Sequence, residues 1–402
     1  MLRTLAPSGS PIKLSELAAW LLTLARGQDK SEELLEAFRN TFGVKHCLLF
    51  STGRAAMCFL FRCLHKYCDN SQRNEVVIPG YTCYSVASSA VMAGLKIRVC
   101  DIDPVTLSYD LEQLESVDFS RVLCVVTANL YGLPDDLQEI ERITNGNNVY
   151  LVDDAAQSLG ATVTGKPSGT FGIAGLYSLD KGKNITSIQG GIIVTNDNAL
   201  AELMLSEFHA LGENSRSDNV REYFKALVYF FFLHPALYWI PARLPFLSLG
   251  ETRYEEDYPI HKYPSPLSPI ALAQLKRYMA ITTQRTQVAR WYQESLPEHP
   301  DLLPVQPGTN TQPAWLRFPL RIIERSARNK FLVLNRAMGC TGSYPKSIAE
   351  IPEIREQLVI QNLKCDASKT IASEIVTLPT HTFVSRKDVS AICHSLQRIV
   401  TG

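Results

Sequence analysis

VYLVDDAAQSLGATVTGKPSGTFGIAGLYSLDKGKNITSIQGGIIVTND, residues 149–197, is the stretch whose reading decides the fold. A β-branched run beginning at Val149 ends in two adjacent carboxylates, Asp153 and Asp154. Short apolar runs of this kind suit a strand covered on both faces, and the carboxyl end of such a strand is where open α/β sheets bind ligands. Further along come Ser178 and Lys183, the lysine in a loop flanked by Gly182 and the pair Gly190–Gly191.

Working outward, strands alternate with helical patterns. CLLFS (47–51) precedes a helical stretch from Arg54 to Leu64, and VVIP (76–79) precedes another from Tyr84 to Ala93. KIRVCDID, DLEQLESV, RVLCVVTAN, DDLQEIERIT and VYLVDD continue the alternation. Doubly buried runs with helices between them imply a mostly parallel sheet built from right-handed βαβ units. Gly53, Asn129 and Asp154 all fall at strand ends in this reading. After Thr195 the pattern turns helical, and the last hundred or so residues mix short strands such as FPLRII with helices. The expected fold class is therefore α/β: a large domain with a mostly parallel central sheet flanked by helices, plus a smaller C-terminal α+β domain. The expected divisions are an N-terminal arm over 1–30, the large domain over 31–268 and the small domain over 269–402.

Composition narrows the function. The 402 residues carry 40 basic and 40 acidic side chains, so no overall charge draws the protein to nucleic acid. Apolar content of 46% and charged content of 20% are those of an ordinary folded chain. The ten cysteines contain no C-x-x-C pair, which argues against a zinc site, and they read as reduced core thiols of a cytoplasmic protein. The apolar span Leu14–Leu24 contains Glu16 and is too short to cross a membrane.

An acid at a strand end and a lysine on a glycine-rich return loop suit pyridoxal 5'-phosphate. The acid would keep the ring nitrogen protonated, and the lysine would carry the cofactor as a Schiff base. Aspartates at strand ends and exposed lysines are common, so the spacing by itself leaves a plain strand end and a solvated loop lysine open. STGRAAM (51–57) lies between a strand and a helix, where free amides and Gly53 make a phosphate seat and Arg54 adds a charge. A tight turn with a small-residue helix start is the competing account. GATVTGKP (160–167) nearly spells a phosphate-binding loop, but Pro167 replaces the required hydroxyl residue and no helix can open there. Lys166 reads as a solvated turn residue.

With these pieces placed, the chain resembles the DegT/DnrJ/EryC1/StrS family of pyridoxal-phosphate-dependent sugar aminotransferases, a fold-type-I group. The similarity runs in order through STGRAAM, VVIPGYTCYSVASSAVMAG, DIDPVTLSYDLEQLE, NLYGLPDDL, VDDAAQSLGA, YSLDKGKNITSIQGGIIVTND, ALAQLKRY, SYP and LPTH. The resemblance implies that Asp154 bonds the pyridine nitrogen and Gln157 the ring hydroxyl. It implies that Ser178 holds the phosphate with the amides of Gly53 and Arg54, and that Lys183, followed by Asn184 as in the family's K-N pair, carries the cofactor. Lys181 is a competitor two positions away.

Departures accompany the match. Cys83 stands where the family usually places an aromatic ring against the cofactor, leaving Tyr81 or Tyr84 to stack there or simply to pack. Gln189 replaces an acid of the family's G-E-G-G. Ile260-His261-Lys262 replaces the N-Y-R segment that reaches the partner subunit's phosphate site, with Lys262 as a point charge in place of arginine. The implied function is amino transfer from an amino acid, with glutamate the expected donor, to a keto group on a nucleotide-linked deoxysugar, in a homodimer. A family dehydratase is disfavoured because Lys183 is present. A pyridoxal-phosphate-binding regulatory or scaffold protein and an aminotransferase for a lipid-like ketone are the alternatives. An apolar insertion at about 223–250 raises three further options: added core or dimer surface, peripheral membrane contact, or a wall for a lipid-like substrate. Arg243 within it reads as solvated.

Overall fold

The structure, a computed structural model, describes residues 3–213, 215–243, 254–360 and 364–401. The N-terminal half holds α1 (Leu14–Ala25), α2 (Ser31–Phe42), β1 (His46–Phe50), α3 (Gly53–Tyr67), β2 (Glu75–Pro79) and α4 (Tyr84–Met92). It continues through β3 (Lys96–Cys100), α5 (Leu111–Glu115), β4 (Val122–Val126), α6 (Leu137–Gly146) and β5 (Tyr150–Asp154). Then come β6 (Thr162–Val163), β7 (Lys166–Pro167), β8 (Ala174–Ser178), β9 (Gly191–Thr195), α7 (Asn198–His209), α8 (Arg216–Phe232) and α9 (Trp239–Ala242).

Seven of these strands form one sheet in the order β1-β9-β8-β5-β4-β2-β3. β8, β5, β4, β2 and β3 are parallel, as VVIP and VLCVV foretold, because all residues of β2 and β4 are buried and only helices on both faces can cover them. β9 runs antiparallel to both β1 and β8. The reason is the connection: residues 179–190 contain no helix, and a strand returning without a crossover can pair only antiparallel. That return leaves the lysine loop standing at the carboxyl ends of β5 and β8.

The chain goes on with α10 (Ser268–Leu275), α11 (Tyr278–Ser295), β10 (Leu302–Pro304), β11 (Thr311–Gln312), β12 (Arg317–Ile322), α12 (Arg325–Asn335), α13 (Asp366–Glu374), β13 (Ile375–Pro379) and α14 (Arg386–Val400). α10 packs on α1 and α2, in the same apolar cluster as Trp20, Phe38 and Tyr177, and α11 carries the chain into the second body. There β10, β12 and β13 make an antiparallel sheet under α11, α12 and α14. β11 pairs instead with β6 of the β6–β7 hairpin, tying the two bodies together. Lys166, in that hairpin, is exposed and lies over the Phe171 ring at 3.9 Å.

The apolar stretch is part of α8 and α9, and residues 244–250 of it lie outside the described residues. α8 packs its Tyr223, Leu227 and Tyr229 inward, with Tyr223 edge-on to Trp20 at 6.0 Å, while Phe224 and Phe231 stay 66% and 53% exposed. Among the described residues no helix is long and apolar enough to cross a membrane. Arg243 is exposed beside Trp239. All ten cysteines are unpaired, and eight of them are buried.

Candidate active site

The acidic pair divides its work because successive side chains of a strand point to opposite faces. Asp153 is enclosed: one oxygen accepts from the amides of Gly169 (2.5 Å) and Phe171 (3.3 Å), the other from Asn129 Nδ2 (2.8 Å) and Thr127 Oγ1 (3.2 Å). Asp154 accepts a single hydrogen bond, from the Ala156 amide to Oδ1 at 2.9 Å, and no protein donor among the described residues reaches Oδ2. Burial pushes the Asp154 carboxyl up to about 7, against the pull of the Ala156 amide and of the Lys183 charge. A buried acid with an open oxygen and a lysine as its neighbouring cation is fitted to hold a proton on a ligand atom.

Asn129 keeps both acids in place. Its backbone sits at φ +42°, a left-handed turn that asparagine tolerates, and its amide donates to Asp153 and, at 2.9 Å, to the Asp154 carbonyl. Asp135 anchors the same turn, accepting from the amides of Ala128 (2.8 Å) and Asn129 (3.3 Å).

The lysine loop is held through its backbone. The Lys183 amide donates to the Asp180 carbonyl at 3.0 Å, and Ser10 Oγ from the N-terminal arm donates to the Asn184 carbonyl at 2.5 Å. The Asn184 side chain turns inward, donating to the Leu159 carbonyl at 2.7 Å. Tyr229 of α8 donates to the Lys181 carbonyl at 2.9 Å and accepts from the Ser10 amide at 3.0 Å. The apolar stretch thus braces the loop from outside. Lys181 is exposed, whereas Lys183 acts on Asp154.

Beside them, the start of α3 forms a cup. Thr52 Oγ1 caps the Ala55 amide at 3.0 Å, while the amides of Gly53 and Arg54 donate to no acceptor among the described residues. A Cβ on Gly53 would meet Ser178 Oγ at 3.3 Å, a tight contact, and one on Gly191 would strike the Thr52 carbonyl at 2.5 Å, so this approach needs glycine at 191. Ser51 Oγ is buried without a partner among the described residues. Free amides at a helix start, two serine hydroxyls and close-packed glycines suit a phosphate dianion. The residues present therefore fit pyridoxal phosphate. The Arg54 side chain is directed elsewhere, paired with Glu255 and 5.1 Å from the Tyr258 ring.

The remaining wall is aromatic. Gln157 accepts from the Tyr131 amide (3.1 Å) and donates to the Tyr344 hydroxyl (3.0 Å). Tyr81 is fully buried, its hydroxyl 3.2 Å from that of Tyr131, and its ring edge-on to Tyr344 at 5.6 Å. Tyr84 also packs toward Tyr344, and its hydroxyl accepts from the Lys346 amide at 2.9 Å. Cys83 is half-buried at the start of α4, its Sγ accepting from Ser85 Oγ at 2.9 Å. Lys262 pairs with Phe50 at the sheet edge, its ammonium 5.8 Å from the Phe208 ring. Gln189 is half-buried and shows its carbonyl to Ser187 Oγ at 2.8 Å.

Tyr131, Tyr344, Ser10 and Tyr229 were not marked by sequence reasoning as site residues. Tyr131 follows directly on Asn129-Leu130 and Tyr344 sits in the SYP triplet, so both stood inside quoted motifs. Ser10 and Tyr229 carried no local signal.

Comparison with known proteins follows the same lines. A model of the DegT/DnrJ/EryC1/StrS aminotransferase family matches residues 19–229 and 266–397. GDP-4-keto-6-deoxy-D-mannose 3-dehydratase of Yersinia pseudotuberculosis is 30% identical over 170 residues, 42% of this chain and 43% of that protein. In five curated relatives the matched stretch spans between 41% and 61% of their length. Among solved structures, Helicobacter pylori PseC, an aminotransferase involved in pseudaminic acid biosynthesis, superposes with a TM-score of 0.79 at 21% identity, covering 99% of each chain. The E. coli GDP-4-keto-6-deoxy-D-mannose-3-dehydratase with bound hydrated PLP gives a TM-score of 0.78 at 19% identity, covering 98% of this chain and 100% of that one.

Proposed function

Since the chain belongs to the DegT/DnrJ/EryC1/StrS aminotransferase family, we propose that it is a pyridoxal-phosphate-dependent transaminase working as a homodimer. Its substrates on this reading are glutamate as amino donor and a nucleotide-linked keto-deoxysugar as acceptor. The observation that carries the reading is the meeting of Asp154, with one open carboxylate oxygen, and Lys183 above the carboxyl ends of β5 and β8. Bound pyridoxal phosphate supplies an electrophilic aldehyde and a ring that accepts the electron pair left when a carbon beside nitrogen loses its proton.

The protein's own groups do the rest. Asp154 Oδ2 holds a proton at the ring nitrogen, and the carboxylate regains in that ion pair what burial takes from it. Lys183 Nζ would attach the cofactor and, once displaced by the donor's amine, would carry a proton between the two carbons on either side of the donor nitrogen. The Gly53 and Arg54 amides with Ser178 Oγ bind the phosphate and fix the ring's register. Gln157, oriented by Tyr131 and Tyr344, would meet the ring hydroxyl. α8 and the N-terminal arm tether the loop's backbone from outside.

The test uses purified protein loaded with pyridoxal phosphate. Borohydride reduction and peptide mapping should place the label on Lys183, and glutamate should bleach the yellow form with release of 2-oxoglutarate. Colour that no amino acid bleaches would leave a binding protein rather than a transaminase, and a label at Lys181 would refute the assignment.

A further inference from the structure

Arg317 opens β12 and is unlike the other inward-facing arginines. Arg98, Arg277 and Arg321 each meet a carboxylate, Glu75 at 2.7 Å, Glu16 at 2.5 Å and Glu374 at 2.8 Å. Arg285 has no acid, but its two terminal nitrogens donate to the carbonyls of Leu316 and Gly9 and to the hydroxyls of Thr380 and Ser10. Arg317 has neither an acid nor a carbonyl. Its Nη1 donates to Thr341 Oγ1 (2.8 Å) and Thr377 Oγ1 (3.2 Å), and its Nε and Nη2 donate to nothing among the described residues. These nitrogens are not sealed in: Arg285 Nε is a buried, unpartnered nitrogen, and none of Arg317's is.

The guanidinium lies where the proposed cofactor wall meets the small domain. Its charge acts on the phenols of Tyr131, Tyr344, Tyr238 and Tyr81, and burial among them lowers its own pKa. Tyr131 and Tyr344 are the two residues that orient Gln157. The loop after β4 presses on the start of β12, with the Ala314 amide bonded to the Gly132 carbonyl at 2.8 Å. A partly desolvated cation with one edge of its fork open calls for an anion, and a planar carboxylate matches two parallel N–H groups. The cofactor phosphate already has its own seat at α3, and the acceptor's diphosphate lies a sugar ring away from its keto carbon, so the anion that belongs beside the cofactor wall is the carboxylate one bond from the reacting carbon of an amino acid and its keto acid.

Resting on the transaminase reading, we propose that Arg317 binds the α-carboxylate of the amino donor, with Thr341 and Thr377 fixing the fork and the tyrosines excluding water around it. This makes Arg317 a specificity-determining residue for α-amino acids as donors, contributed by the small domain.

The test compares wild type, R317M and R317K, all loaded with pyridoxal phosphate, in two measurements. The first is calorimetric binding of glutarate, a dicarboxylate without an amine. Its Kd should rise about 100-fold in R317M and about tenfold in R317K. The second is the ratio of bleaching rates with L-glutamate and with n-butylamine, which should fall about 100-fold in R317M. A merely structural arginine would slow both amines alike, so an unchanged ratio overturns the proposal, as does glutarate binding that ignores the substitution or is absent in wild type. If R317M does not fold, unchanged glutarate affinity in R317K overturns it equally. Arg317-dependent glutarate binding without bleaching of wild type would sink the transaminase reading and leave the carboxylate seat standing.

Discussion

Substituting Asp154 by asparagine should stabilise the cofactor-free protein at alkaline pH while crippling it as an enzyme. The Asp154 carboxyl is raised from an ordinary 3.8 to about 7 by burial. At pH below about 4 both the native and the unfolded chain hold its proton, and the residue costs nothing. Between about 4 and 7 the native state keeps a proton that the unfolded chain has released, so stability falls as pH rises. Above about 7 both states are ionised and the whole penalty is present: about three pKa units at 1.36 kcal/mol each, or about 4 kcal/mol. D154N carries no ionisable group there, so its urea-unfolding free energy should match wild type near pH 4.5 and exceed it by a few kcal/mol at pH 8. With pyridoxal phosphate bound, the pyridinium supplies the missing counter-charge, and the wild type should recover most of the difference. The same variant should lose about 10²- to 10⁴-fold in the glutamate half-reaction, because nothing then holds the ring-nitrogen proton. Urea titrations of both cofactor-free proteins from pH 4.5 to 8.5 decide the matter. Parallel pH profiles would refute the placement of the strained carboxyl at Asp154.

D153N should lose about 3 kcal/mol near pH 4.5 in the same titrations, because four donors lose a carboxylate acceptor, and the loss should shrink as pH rises to about 6, where burial has raised the wild-type carboxyl. G191A should weaken pyridoxal phosphate at least about tenfold by fluorescence titration, since its Cβ would meet the Thr52 carbonyl at 2.5 Å and spread the phosphate cup. Y229F should cost about 1 kcal/mol in urea unfolding and speed cofactor loss from the Lys183 loop, which its hydroxyl ties to Ser10. In the native protein a disulfide reagent should titrate Cys68 and Cys83 ahead of the other eight thiols. Those eight are buried, with Cys58 pushed up to about 11 and Cys47 and Cys63 to about 12, and cofactor loading should protect Cys83 alone.

Much of the fold was legible because it is written in local pattern. Apolar runs buried on both faces marked β2, β4 and β5, while the one reversal, at β9, was not read from the sequence and shows in the strand pairing. What sequence could not do was separate Asp153 from Asp154 physically. Their division of labour depends on the amides of Gly169 and Phe171, 16 and 18 residues downstream of Asp153, which wrap one acid and leave the other open. The family motif points to Asp154, and the hydrogen bonds leave that carboxylate, not Asp153, with an oxygen that has no donor among the described residues.

The second body was harder to read for a reason that β12 makes plain. RFPLRI alternates, so Phe318, Leu320 and Ile322 share one face while Arg317 and Arg321 share the other. In sequence the two arginines are equivalent, both reading as a solvated strand face. In the fold Arg321 reaches Glu374, and the loop carrying Tyr131 and Gly132 comes down over the start of the strand and encloses Arg317 among phenols instead. Whether a strand-face arginine becomes surface charge or a recognition element is thus set by a contact between residues almost two hundred positions apart. No local periodicity encodes such a contact, which is why the proposed cofactor residues stand in local motifs and Arg317 does not.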